Sequence, residues 1–315
     1  MIERPDADAL LAGPLGQWLA EQNSVRDETR AKANRRMYWG IGLAAAIAFI
    51  IIIAGGPIPL AGQLGFFVGA GGFAWSEWTK RPVVARIKGG INGAIAKALG
   101  LDYSIIVTDT RNFDCARAFN LLPAFDKSTL EDQWSGDLRG LPFTLHETKL
   151  TEERGSGKSR RTVTVFAGSL MAIGFARSFN GTTLIERKGN HKSFFGLFGG
   201  DKDTITVNGT RLDRIDTVDP AFDDLFSVWS NDQVEGHYLI NPSYVEKLVA
   251  VETAFSGDKV RALFNAGTLL IVLENGNLFE SGSLDSGDDR RLLEQSITQF
   301  GTLADLAIQL NERPR

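Results

Sequence analysis

Histidine and cysteine are scarce in this chain of 315 residues, three of one and one of the other. A lone Cys115 forms no intramolecular disulfide, which agrees with a reducing compartment. His146, His191 and His237 stand at no metal-ligand spacing from one another or from Cys115, so no zinc site is expected. His146 and Glu147 are neighbours on a predicted strand and point to opposite faces, which rules out a dyad. No G-x-S-x-G elbow occurs. GSGKS at 155–159 lacks the first glycine of a phosphate-binding loop, because Glu152 holds that place. It also joins two predicted strands where such a loop would enter a helix, so a hairpin turn is expected. These absences leave no cofactor and no metal to expect.

A net positive balance is missing from most of the chain. Residues 1–100 carry 11 basic and 7 acidic side chains; the remainder carries 23 and 31. An acidic body argues against binding nucleic acid through its phosphates. The basic first third suits an anionic membrane surface.

Charge of either sign is missing altogether from the run YWGIGLAAAIAFIIIIAGG at 38–56 and from LAGQLGFFVGAGGFAW at 60–75. A helix rises ~1.5 Å per residue, so about 20 apolar residues cross ~30 Å of hydrocarbon. Pro57 and Pro59 break the helix between the runs. Arg26, Arg30, Lys32, Arg35 and Arg36 precede the first run, and Lys80, Arg81, Arg86 and Lys88 follow the second. The turn has no charge. This asymmetry predicts a two-pass hairpin at 38–78 with both termini cytoplasmic. Tyr38, Trp39, Trp75 and Trp78 form an aromatic belt at one interface. Gly65 and Gly69 are four apart and Gly62, Gly69 and Gly72 lie near one face; facing Gly40, Ala44 and Ala48 on the other helix, they allow close packing in lipid. The same residues could instead pair two molecules.

Residues 1–16 read as a loose start, and 17–37 as a solvated, charged cytoplasmic helix. Pro82 opens an amphipathic connecting helix over 79–100, with Ile87, Ile91, Ile95 and Leu99 in its apolar stripe. From 101 to 315 the texture is that of an α+β domain. Strands are predicted at 103–109, 141–150 and 162–176, with a turn-rich stretch around Trp134 and Gly136. Phe179-Asn180-Gly181 turns the chain into TTLIE, so 141–187 reads as an antiparallel meander. Further strands are predicted at 205–218, a hairpin at 260–274 turned by Asn265-Ala266-Gly267, and short helices at 220–226 and 231–238. A C-terminal helix with a wide apolar face closes the domain. The fold class is thus a transmembrane hairpin plus a cytoplasmic α+β domain with mostly antiparallel strands.

The segment PAFDDLFSVWSNDQVEGHYLINPSYVEKL at 220–248 carries Phe222, Phe226, Val228, the run Asp232-Gln233-Val234-Glu235, Tyr238, Pro242 and Leu248. With Phe166-Ala167-Gly168-Ser169-Leu170 and Phe179-Asn180-Gly181-Thr182, it resembles the bacterial membrane-protein family known as domain of unknown function 3137. The likeness runs over nearly the whole chain. Gly236-His237 stands where that family often has Ala-Arg, which removes a fixed positive charge. The resemblance implies the topology, the fold and a bacterial inner-membrane location. It implies no activity. Phe222, Phe226 and Tyr238 are expected in the core.

Two functional readings follow. In the first, the chain is not an enzyme, and its cytoplasmic domain binds lipid or a partner protein. In the second, it is a membrane-tethered hydrolase using the Asp232 and Glu235 carboxylates. Asp232 as a helix cap and Glu235 as a paired or solvated group is the structural alternative to that pair. Phe194, Phe195, Leu197 and Phe198, behind Arg187, Lys188 and Lys192, form a candidate membrane or partner contact. The same four apolar side chains could fold into the core. Expected partners are the bilayer, a protein partner or a second copy through the hairpin, and no nucleic acid.

Overall fold

The structure is a computed structural model that describes residues 2–175, 179–189, 202–216, 220–240, 244, 246–248 and 260–311. It divides into two units. One comprises Pro5–Ile95 and Glu280–Ile297; the other comprises Met1–Arg4, Ala96–Phe279 and Thr298–Arg315.

The first unit is helical. A short α1 (Ala7–Ala12) is capped by Asp6, whose side chain accepts from the Asp8 amide, so the start of the chain is ordered where a loose segment was expected. Two long antiparallel helices follow, α2 (Pro14–Ile53, 40 residues) and α3 (Ile58–Ala98, 41 residues). At ~1.5 Å per residue each is about 60 Å long, roughly twice a hydrocarbon core. The apolar halves are adjacent across the Pro57 turn. The polar halves continue them without a break. Pro82 does not open a helix but sits inside α3. The connecting helix and the second membrane run are therefore one rod.

The polar halves are less solvated than their charge suggests. Leu15, Leu19, Arg26, Thr29 and Ala33 of α2 are buried, and so are Ile87, Ile91 and Ile95 of α3. The α3 isoleucine stripe thus packs inside the protein. Trp18 lies on Gly90, where an added Cβ would come 2.2 Å from the ring. The segment 280–288 lies against both rods. Arg26 makes a bidentate pair with Asp289 at 2.8 and 2.9 Å, Lys88 reaches Glu280 at 3.0 Å, and the Ser281 hydroxyl donates to Asn92 Oδ1 at 2.9 Å. A Cβ on Gly282 would sit 2.2 Å from the Val84 carbonyl oxygen.

Among the described residues, the second unit is a sheet of ten antiparallel strands with helices against it. The strands are β1 (Leu101–Ile106), β2 (Lys127–Leu138), β3 (Leu141–Arg154), β4 (Arg161–Gly174), β5 (Thr183–Arg187), β6 (Thr204–Val207), β7 (Thr210–Ile215), β8 (Phe226–Ser230), β9 (Val260–Asn265) and β10 (Thr268–Leu273). Their order is β1-β2-β3-β4-β10-β9-β5-β8-β7-β6. Its helices include α4 (Arg111–Ala118), α5 (Pro220–Leu225), α6 (Gln233–Leu239) and α7 (Asp289–Asn311), whose first turns belong to the helical unit.

Both faces of the central strands are covered, which explains continuous apolar runs such as TLLIVL. Leu170 and Ala172 of β4, Leu263 of β9, and Leu270 and Val272 of β10 join Phe113, Ala116 and Phe119 in one core. On the aromatic side, Trp134 stacks on Phe300 of α7 at 4.4 Å, and Phe143 meets the same ring edge-on at 6.0 Å.

Three expectations are corrected. The stretch around Trp134 is strand β2, kinked by a register shift at a buried Asp132 with φ of 58°. The meander ends at β4: its neighbours are β3 and β10, and β5 lies between β9 and β8. FSVWS, read within and beyond a short helix, forms the strand β8. The 260–274 hairpin is as expected, with Ala266 and Gly267 both at positive φ in its two-residue turn.

Candidate functional site

The apolar halves of α2 and α3 meet along their small residues. Gly40 and Gly72 oppose one another so closely that a Cβ on either would lie 2.6 Å from the other's Cα. A Cβ on Gly65 would lie 3.8 Å from Ala48 Cβ, and one on Gly69 3.9 Å from Ala44 Cβ. The predicted faces therefore pack within one chain, except at Gly62, where a Cβ would meet nothing within 4 Å. The outer faces stay bare. Among the described residues, every exposed large hydrophobic side chain except Ile106, Leu225, Val234 and Tyr238 lies between 38 and 78. By length and composition both helices can cross a membrane, and only 6% and 11% of their apolar windows are buried. A core helix of a soluble protein would be mostly buried.

Charges flank this hairpin at one end. Arg36 lies over the Trp75 ring at 4.5 Å and donates to the Thr79 hydroxyl. Arg35 is exposed. Lys80 pairs with Glu77 at 2.6 Å. Arg26 and Lys88, counted among the flanking charges, point into the protein and pair with Asp289 and Glu280.

In the sheet unit, the carboxylates that suggested chemistry hold backbone instead. Asp232 caps α6, accepting from the Glu235 amide at 2.9 Å. Glu235 accepts from the amides of Asn180 at 3.1 Å and Gly181 at 2.6 Å. Asn231 Oδ1 accepts from the Thr182 amide at 2.7 Å. The 179–181 turn and the start of α6 are thus clamped together. A Cβ on Gly181 would sit 2.4 Å from Glu235 Oε2, so only glycine lets the carboxylate reach the amide. Residues 164–312 match the model of the family described as "Protein of unknown function (DUF3137)".

The DUF3137 match spans 164–312, narrower than the near-complete likeness read from the sequence, and leaves the hairpin outside it. No curated protein matches the chain. A crystal structure of the mycobacterial trehalose monomycolate transport factor A, TtfA, aligns at 13% identity and a TM-score of 0.34, over 73% of this chain and 99% of that one. That similarity is too low to carry an argument.

Within the DUF3137 segment, Phe222 and Phe226 are buried and stack at 5.1 Å. Tyr238, expected beside them, is 47% exposed on the outer side of α6, next to Val234 at 83%. The helix turns Gly236 and Leu239 inward instead. Gly236 has no room for a Cβ, because the Ile215 side chain would lie 2.2 Å away. His237 is exposed, and its Nδ1 is 2.7 Å from the Gln233 carbonyl oxygen. Gln233 donates to the Asp213 carbonyl at 3.2 Å. Pro242 lies outside the described residues.

Of the candidate membrane contact, Lys192, Phe194, Phe195, Leu197 and Phe198 also lie outside them. Arg187 is half-buried over the Phe226 ring at 4.6 Å, and Lys188 faces Asp224 at 3.4 Å. Both basic residues are engaged within the sheet unit.

Other titratable groups also have structural roles. Burial lowers the His146 pKa to about 4, so the ring is neutral, with Nδ1 3.2 Å from the Thr148 hydroxyl. Hydrogen bonds from Arg111 hold Asp109 at about 2, beside a cleft of about 600 Å³ lined by Asn112, Thr144 and Thr268. Glu147 Oε1 accepts from the Leu278 amide at 2.5 Å, and the Tyr103 hydroxyl donates to Asp132.

Sequence reading missed the clamp between 180–182 and 231–235 and the seat of 280–288 on the long rods. The clamp joins residues 49 to 55 positions apart, and no local pattern reports such a pairing. Strand β8 did leave a signal: FSVWS is rich in the aromatic and β-branched residues that favour strands.

Proposed function

We propose that this is a two-pass membrane-anchored protein and that its sheet unit is a non-catalytic module binding lipid or a partner protein. In this reading 38–78 crosses the bacterial inner membrane, with both termini and the sheet unit cytoplasmic. Residues 1–37 and 79–100 carry the rods out of the bilayer to 101–315. The observation that carries it is the bare apolar surface concentrated, among the described residues, on the hairpin between 38 and 78. Exposed apolar area on that scale suits lipid and not water. Basic residues at the outer ends and none in the turn support the orientation.

The non-catalytic part is supported by the duties of the carboxylates. Asp232 and Glu235 each accept from backbone amides, so the hydrolase reading finds no free acid–base pair there. Within the proposed binding role, the 187–198 stretch remains our candidate contact. Alkaline phosphatase fused at residue 56 should be active, and fusions at either terminus inactive. Activity at a terminal fusion would overturn the orientation.

A further inference from the structure

A groove of about 850 Å³ runs along one side of the hairpin. Its walls are Trp39, Leu43 and Ala46 of α2 and Val68, Gly71 and Trp75 of α3, and Arg35 and Arg36 line its mouth. We propose that this groove binds one anionic phospholipid, with an acyl chain between the helices and the phosphate at the arginines. The proposal rests on the membrane-anchored reading above.

Length, charge and shape support it. From Arg36 to Ala46 the groove follows ten residues of helix, about 15 Å. Half of a ~30 Å hydrocarbon core is the same depth, so the groove spans one leaflet from headgroup level to midplane. The mouth is positive. Arg36 is aimed by Trp75 and Thr79, Arg35 is exposed with no ion pair among the described residues, and the nearby Glu77 is paired with Lys80. Arginine forks match phosphate oxygens.

Glycine keeps the groove open. Gly40 and Gly72 are demanded by the helix contact, but a Cβ on Gly42 or Gly71 would meet nothing within 4 Å. Both belong to the groove lining, and no contact between the helices accounts for them. A side chain there would fill the space an acyl chain needs. A second copy suits the groove less well. Two copies in one membrane related by a two-fold axis along its normal would bring their Arg35 and Arg36 together at the same depth.

The test uses the full chain, extracted from membranes in detergent. Phosphatidylglycerol and phosphatidylcholine with identical acyl chains are added, and bound lipid is counted by native mass spectrometry. One phosphatidylglycerol should be retained in preference to phosphatidylcholine. Arg35→Gln should cut that preference about five-fold, the worth of one basic residue at an anionic surface. Gly71→Leu should lower retention of both lipids more than ten-fold while leaving the melting temperature unchanged. Gly42→Leu fills the groove from the other wall and should do the same if Gly71→Leu proves unstable. Equal retention of the two lipids, or unaltered retention in both leucine variants, overturns the proposal. So does a wild-type dimer that either leucine variant dissociates, because the groove then belongs to a second copy. A full chain that leaves the membrane fraction without detergent overturns the anchored reading itself, which fractionation reveals before any lipid is added.

Discussion

Glu235 shows how much one side chain can decide. Its two oxygens tie the 179–181 turn to α6, although the run Asp232-Gln233-Val234-Glu235 also offers the sequence reader a pair of catalytic acids. Glu235→Ala should cost about 1–3 kcal/mol, since the buried Gly181 amide loses a charged acceptor. Glu235→Gln, which keeps one acceptor oxygen, should cost less. Denaturant unfolding of the detergent-solubilised chain measures both, and equal stability of all three proteins would remove the clamp. His146 makes a second residue-scale prediction. Its folded pKa of about 4 lies below the ordinary 6.5, so the unfolded chain binds the proton first as pH falls. The stability it confers is complete above about pH 6.5 and is lost as pH drops towards 4. The slope is at most roughly 1.4 kcal/mol per pH unit. Asp109 does not blur this window, because its contribution disappears only as pH falls towards about 2. His146→Gln should flatten the curve between pH 6.5 and 4, and a wild-type curve just as flat would refute the assignment.

The long helices carry the argument at the level of elements. Their apolar halves were legible because membrane residues need only be apolar, uncharged and numerous enough. Their facing glycines and alanines were legible too, since spacing by four selects one face of a helix. Gly40→Leu should separate the rods, because its side chain would enter the Gly72 backbone. Gly62→Ala should be neutral or slightly stabilising, as a Cβ there meets nothing within 4 Å and alanine is the better helix former. Thermal unfolding in detergent distinguishes the two, and a Gly40→Leu protein as stable as Gly62→Ala would contradict the packing. In the sequence Pro82 marks a helix start, because proline usually breaks a helix. Instead α3 runs through it, with its buried isoleucines 87, 91 and 95 seated beyond. Packing of that stripe outweighs a local penalty of about 3 kcal/mol.

For the molecule as a whole, the uneven placement of apolar surface predicts behaviour in water. The full chain should stay in the membrane pellet after an alkaline carbonate wash and enter solution only with detergent. Release by carbonate would mean that the hairpin buries its apolar faces against protein. The sheet unit should not need that hairpin for its own core, since Leu170, Leu263, Leu270 and Trp229 are buried among strands and α4.

By itself the sequence determined the two apolar runs, the prolines between them, the charge at their outer ends and most of the strands. Each depends on residues close in the chain: a run, a period of two or four, a turn dipeptide such as the one at 266–267. Only the tertiary structure decided that β5 leaves β4 for β9 and β8, that Arg26 and Lys88 are internal ions, that Tyr238 faces out, and that Glu235 is a clamp. In those cases the partner lies tens or hundreds of positions away. A charged or aromatic side chain looks the same in sequence whether water or a distant backbone group receives it.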